Sequence, residues 1–299
     1  MASVQRKEQV TLHDVQDTLL TTLFAKARDA ESDHPILADP YARRLLDRFD
    51  VDLSRPTFRG IDNPPGIQGI ASRAKAIDDR VCQFLARYAD DQVTIVHIGC
   101  GLDTRVMRIS RGEHVRWVDV DFPDVVDLRR RVIDTPAGDY ELLGCDARDG
   151  SWLSSAPATS RTLFVAEGVL LYWEPDSVEA LLRSVVDHFG AGELIFDVTS
   201  EVYVRLSEHV AIFKANGARW LWGVRSPKSI ESIHPALHLV DELDMTSPEV
   251  LEMTLTAMFG DSFQGLKSEL ELSLGVYQPI ARILRFEYKR IVVETGAIA

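Results

Sequence analysis

Cysteine is scarce in this sequence: 299 residues contain three, Cys82, Cys100 and Cys145, and none sits in C-x-x-C spacing. Three thiols cannot all pair, so a disulfide framework and a zinc cluster are excluded and a reducing cytoplasm is expected. Positive charge is also short. There are 33 Lys and Arg against 46 Asp and Glu, a net charge of −13. Tracking a phosphate backbone needs clustered cations, so nucleic acid is not an expected partner, and a membrane surface is disfavoured for the same reason. No apolar run approaches the ~18 residues of a membrane-spanning helix. The opening "MASVQRKEQVTLHDVQDT" has no apolar stretch and no cleavage pattern, so no signal peptide is expected. Internal repeats and Gly/Ser-rich linkers are missing too, which points to one domain over residues 1–299.

What is present is an ordinary globular composition, 45% hydrophobic and 26% charged,. Residues 1–90 read as a helical N-terminal part, with apolar residues at helical spacing in "TLLTTLFAKARDAE" and "SRAKAIDDRVCQFLARYA". At Val93 the rhythm changes. "VTIVHIG", "HVRWVDVD", "YELLGCD", "RTLFVAEGVLLY" and "AGELIFDVTS" read as strands. Helices lie between several of them: one from about Asp103, one in "FPDVVDLRRRVI" and one in "EPDSVEALLRSVVDHFG". Strands alternating with helices predict an α/β fold with a doubly wound parallel sheet over residues 91–200. Residues 201–245 read as a lid insertion after the fifth strand. Residues 246–299 read as the C-terminal part of the sheet, with a helix start at Thr246 or Ser247 and a strand in "ARILRFEYKRIVVET".

The informative stretch is "VTIVHIGCGLDTRV". A buried strand ends in Gly99-Cys100-Gly101, and an acid, Asp103, follows. In a doubly wound sheet such a turn faces the ligand crevice. A dinucleotide fingerprint requires G-x-G-x-x-G with the pyrophosphate at the helix start. Here the third position is Thr104, and Asp103 opposes a pyrophosphate. S-adenosylmethionine carries a sulfonium and no phosphate, so an acid is tolerated there. A nicotinamide-dependent oxidoreductase is the alternative that this departure weighs against. Asp121, at the end of the second strand, suits the two hydroxyls of a ribose, or else caps the helix that begins at Pro123. Asp119 shares its face. Asp146 follows the third strand, as an acceptor for an adenine amino group or as a loop-start acid. Trp152 is placed to pack on the adenine edge or in the core. Glu167, at the fourth strand tip, needs a cation partner.

With these residues placed, the chain resembles the leucine carboxyl methyltransferase family, and within it bacterial O-methyltransferases of the polyketide-tailoring type. The segments that carry the resemblance are "SRAKAID" (72–78), "IGCGLDTR" (98–105), "VDVDFPDVV" (118–126), "GCDARD" (144–149) and "AEGVLLYW" (166–173). It implies a Rossmann-like class I methyltransferase fold, S-adenosylmethionine as cofactor and methyl transfer to oxygen. It also implies that Arg73 pairs with the cofactor carboxylate and that Gly99 contacts the methionine part. Asp121 then meets the ribose, Asp146 the adenine, and Glu167 lines the site, with Gly101, Asp103 and Ala147 as further cofactor-binding candidates. Ala74 departs from the threonine often found there.

Methyl transfer to a carboxylate needs no base, whereas a phenol, with a pKa near 10, benefits from one. Tyr172, Tyr203 and His209 are the candidate catalytic groups, with His234 and His238 as further bases. Arg225 is a candidate for steering an acidic acceptor. The aromatic character of Phe213, Trp220 and Trp222 suits a hydrophobic small-molecule acceptor. A protein C-terminus is the alternative acceptor. No metal site is expected.

Overall fold

A computed structural model describes residues 7–8, 16–156, 161–207, 219–246 and 279–289. Its centre is a seven-stranded sheet in the order β3-β2-β1-β4-β5-β7-β6. The strands are β1 (Val93–Ile98), β2 (Val115–Asp121), β3 (Tyr140–Gly144), β4 (Arg161–Ala166), β5 (Ala191–Val198), β6 (Leu237–Asp244) and β7 (Arg282–Lys289). The first five pair in parallel, and β7 runs antiparallel to both β5 and β6. The order turns back between β1 and β4, where Ile98 lies opposite Ala166. The residues that follow, Gly99 and Glu167, therefore emerge side by side at the carboxyl ends of the strands.

Every residue of β1 is buried, which is why this strand reads as an unbroken apolar run rather than an alternation. Its odd-numbered and even-numbered apolar residues serve different cores. Ile95, with Trp117 and Leu163, packs under Ile77, Val81 and Phe84. Val96, with Val118 and Phe164, packs under Val178, Leu181 and Val185. The helices concerned are α4 (Pro64–Arg87) and α7 (Pro175–Phe189). The start of α4 follows from its sequence. The Asn63 side chain accepts from the Gly66 N–H at 3.0 Å, and prolines occupy the first positions,.

Three further helices, α1 (Gln16–Ala30), α2 (Ala42–Leu46) and α3 (Pro56–Ile61), form a third cluster that includes Leu20, Phe24, Leu45 and Phe58. The same cluster holds Leu102, from the turn after β1, and Leu128, from α6 (Pro123–Val132). This packing sets α1 over the glycine turn.

Two expectations are corrected here. The helix placed from about Asp103 is α5, only Arg105–Arg108, and it ends where Ile109 turns extended. The Asp103 carboxylate accepts from the Arg105 N–H at 2.6 Å, a local turn that starts the helix after Asp103 and not at it,. The stretch 201–245, expected to be a covering insertion, begins with α8 (Glu201–Ser207) but ends in β6, an edge strand of the main sheet. Its alternating burial is that of a strand covered on one face,. The helix start expected at Thr246 or Ser247 runs into residues outside those described.

Candidate active site

The glycine turn is forced by its surroundings. Gly99 and Gly101 have φ of +59° and +49°, a left-handed conformation that side chains resist,. A Cβ on Gly99 meets Val169 Cγ2 at 2.2 Å, and one on Gly101 meets Leu19 Cδ2 at 2.6 Å. The bare backbone thus makes room for α1 and for the loop after β4 as well as facing the crevice.

Between α1 and the strand tips lies a cavity of about 650 Å³. Arg73, Gly99, Gly101, Asp103, Asp121, Glu167 and Tyr172 all line it. The tip of β2 is tied directly to the turn. Asp121 Oδ2 accepts from the Gly101 N–H at 2.7 Å, and Oδ1 accepts from the Phe122 N–H at 2.8 Å. Burial raises its pKa even so, against those two backbone donors. A carboxylate offers about four lone-pair positions, so about two remain for ribose hydroxyls. Asp119, its neighbour on the strand, is fully buried among Trp117, Arg129 and Tyr140 and does not reach the cavity.

Under the other end of the cavity lies a dense ionic cluster. Asp103 pairs with Lys26 and Arg108, each at 2.6 Å. Burial opposes its charge, but Arg108, Lys26 and Arg105 outweigh that and hold its carboxyl well below the usual range. The acid that seemed set to repel a phosphate is therefore locally neutralised. What denies a pyrophosphate its dipole here is the four-residue length of α5. Glu167 accepts from Arg105 Nη2 at 2.5 Å and lies 3.4 Å from Arg73 Nε. Burial opposes ionisation there as well, yet Lys26, Arg105 and Arg73 bring its pKa down to about 2. Arg105 is wholly buried, with Nε on Asp78 at 2.6 Å and Nη1 facing His97 Nε2 at 3.2 Å.

Arg73 differs from the other cations of this cluster. Its Nη1 donates to Asp197 at 3.2 Å, while the buried Nε faces Glu167 at 3.4 Å without a hydrogen bond. A guanidinium carries five donors, so its terminal N–H groups keep donors for an incoming carboxylate on a cation lining the cavity,. The acceptor oxygens of Asp121, these spare donors and the cavity volume together fit a zwitterionic nucleoside with an amino-acid tail.

Several expected residues stand elsewhere. The Asp146 side chain accepts from the Arg148 N–H and pairs with the Arg148 guanidinium. Neither it nor Ala147 lines the cavity, whereas Arg148 does, 5.9 Å from the Trp173 ring. Trp152 is a core residue, donating to Ala147 O at 2.9 Å and packed near Phe164 and Phe189. Tyr203 is buried away from the cavity. The Arg225 side chain is 77% exposed and lies 3.7 Å from Glu201, so it serves the acidic surface and not the site. His234 and His238 line no part of the cavity. His209 and Phe213 fall outside the described residues. Trp222 packs in the core against Phe196, while Trp220 faces the cavity beside Tyr172. Burial raises the Tyr172 phenol, against that indole and Arg73.

Sequence reasoning missed the roof. Thr18, Thr22 and Lys26 of α1 line the cavity. Their signal was present as polar residues at every fourth position of a helix otherwise buried on that side.

A sheet in this order, a glycine turn after β1 and an acid at the tip of β2 define a class I S-adenosylmethionine-dependent methyltransferase. A family model described as leucine carboxyl methyltransferase matches residues 19–186, and the chain belongs to that family. It is 34% identical to the tetracenomycin polyketide synthesis O-methyltransferase TcmP of Streptomyces glaucescens, over 80% of this chain and 86% of that one. It is 35% identical to the S-adenosyl-L-methionine-dependent methyltransferase dpfgK of Gibberella zeae, over 77% and 82%. Leucine carboxyl methyltransferase 1 of Caenorhabditis elegans matches 40% of this chain and 46% of its own length at 32% identity. Among solved structures, a DUF574 family protein from Streptomyces avermitilis superposes with TM-score 0.53 at 15% identity, covering 90% of this chain and 97% of that one. A candidate methyltransferase from Thermobifida fusca gives 0.50 at 18%, covering 89% and 94%. These two share the fold. The nicotinamide alternative finds no counterpart among these relatives.

Proposed function

We propose that the chain transfers a methyl group from S-adenosylmethionine to a carboxylate oxygen of a small aromatic, polyketide-like molecule. The observation that carries this reading is the cavity wall beside the glycine turn. It joins Leu171, Tyr172 and Trp220, an apolar and aromatic surface, to titratable groups that are already committed. His97 turns Nε2 towards Arg105 Nη1 at 3.2 Å and Nδ1 towards Asp119 at 3.5 Å, so both ring nitrogens face partners away from an acceptor. Glu167 is held ionised among its cations, and Tyr172 is held protonated by burial. Among the described residues that line the cavity, neither of these two takes a proton from a phenol at neutral pH. A carboxylic acid, with a pKa of about 4, arrives ionised and asks for none.

The bound cofactor supplies an electrophilic methyl on sulfur, and direct displacement needs the acceptor oxygen in line with it. The protein's part is to orient and to exclude water. Asp121 holds the ribose, and Arg73 holds the tail carboxylate. Glu167, at the cavity wall, provides negative charge for the tail ammonium. Tyr172, a protonated phenol at the wall, donates to the acceptor. Holding the partners near contact is worth roughly 7–11 kcal/mol. The fit of an aromatic acceptor agrees with the resemblance to a polyketide O-methyltransferase.

The test is labelled methyl transfer to paired aromatic carboxylic acids and phenols, followed by mild alkali. Methyl esters release the label and aryl ethers retain it. Alkali-labile label on small molecules is expected. Alkali-stable product overturns the carboxylate assignment, and label on protein from a lysate favours a protein C-terminus instead.

A further inference from the structure

Arg129, on α6, takes no part in the cavity wall, yet it is 1% exposed and both its terminal nitrogens are engaged, while its buried Nε makes no hydrogen bond. Nη1 donates to Gly101 O at 2.9 Å and to Asp103 O at 2.6 Å, and Nη2 donates to Asp119 Oδ2 at 2.8 Å. Asp119 is itself pinned by the Trp117 indole N–H at 2.7 Å and the Tyr140 hydroxyl at 2.9 Å. The guanidinium is therefore fixed from behind while it pulls two carbonyls of the turn away from the cavity. Gly101 is gripped through both its polar backbone groups, its C=O by Arg129 and its N–H by Asp121. No long helix follows to hold the turn, since α5 has four residues. The two glycines have conformational freedom that nothing in their own backbone removes.

We infer that Arg129 is the positioning residue of the cofactor turn: it fixes the Gly101 peptide and thereby aims the Asp121 carboxylate, without touching cofactor or acceptor. This rests on the reading that S-adenosylmethionine lies on that turn. A lysine in its place keeps a charge for Asp119 but lacks the planar fork that spans two carbonyls and a carboxylate.

The test compares Arg129→Lys with the paired change R129M/D119N, which removes both buried charges so that neither is left alone. Binding of S-adenosylhomocysteine is measured by calorimetry, and folding by near-ultraviolet circular dichroism. KM is measured for S-adenosylmethionine and, at saturating cofactor, for the acceptor. The expected result is S-adenosylhomocysteine affinity at least tenfold weaker in both variants. The S-adenosylmethionine KM rises in parallel, while the acceptor KM stays within about twofold and the fold is kept. Parental affinity in either folded variant overturns the role of Arg129. So does an equal rise in both KM values, or loss of folding by both variants, since either makes Arg129 a general structural residue. Asp121→Ala is run alongside. Unchanged binding by that variant overturns the cofactor placement itself, whereas unchanged binding by Arg129→Lys alone overturns only the positioning role.

Discussion

Glu167→Gln isolates the charge that organises the ionic cluster. In the folded chain the Glu167 carboxyl is 6% exposed, and its pKa falls from the ordinary 4.5 to about 2. Each tenfold change in acidity is worth about 1.4 kcal/mol, so the ionised form contributes about 3 kcal/mol at neutral pH. The sign follows from the direction. A lowered carboxyl pKa stabilises the fold above pH 4.5, and the contribution drains away as pH falls towards about 2,. The amide retains the shape but leaves Arg105 Nη2 and Arg73 facing a neutral oxygen. At about 2 °C per kcal/mol for a chain of this size, the melting temperature at pH 7 drops by about 6 °C. Thermal melts followed by circular dichroism at steps from pH 7 to pH 3 measure this. The gap between variant and parent narrows to roughly half at the acid end, because the parent loses what the variant never had. Equal melting temperatures at pH 7, or a gap that does not change with pH, refute the argument.

Asp121→Asn removes the charge that serves both the turn and the proposed ribose contact, at a cost of about 1.5–3 kcal/mol per charge-assisted bond. S-adenosylhomocysteine binding by calorimetry should weaken about 10- to 100-fold, and retention of parental affinity counts against the assignment. Gly99→Ala places a methyl 2.2 Å from Val169 Cγ2 at φ +59°. Cofactor affinity should fall at least tenfold, and V169A should restore part of it in the double variant, since the clash is with that side chain. Arg225→Ala should leave the acceptor KM and the melting temperature unchanged within error, because an ion pair this exposed is worth ~0–1 kcal/mol,. A severalfold rise in that KM would return Arg225 to the site.

The sheet was legible because its signals are local. Apolar runs of five to eight residues mark strands, and the amphipathic spacing of α7 marks a helix. The strand-tip acids were legible for a topological reason: parallel strands deliver their final residues to one edge. What escaped depended on side-chain pairings and on packing between elements, which no local periodicity shows. Asp103 read as bare negative charge because its neutralisers, Lys26 and Arg108, lie 77 and five residues away. β6 read as part of a cover because its partner, β7, lies outside the parallel core and pairs antiparallel. That Arg148, two residues on, folds back onto Asp146 is a pairing that no periodicity reveals. α1 read as apolar packing because its polar stripe gains meaning only once the helix roofs a crevice.

The register between β1 and β4, with Ile98 opposite Ala166, has a practical consequence for anyone altering this enzyme. The two halves of the proposed reaction centre are encoded almost seventy residues apart and meet only because two ribbons are aligned to within a single rung. Lengthening a surface connection leaves that alignment alone. Adding one residue within either ribbon, buried on both faces, exchanges the side chains that its two cores receive and slips the acid at 167 past the turn, so a change that touches no functional group is expected to abolish turnover,.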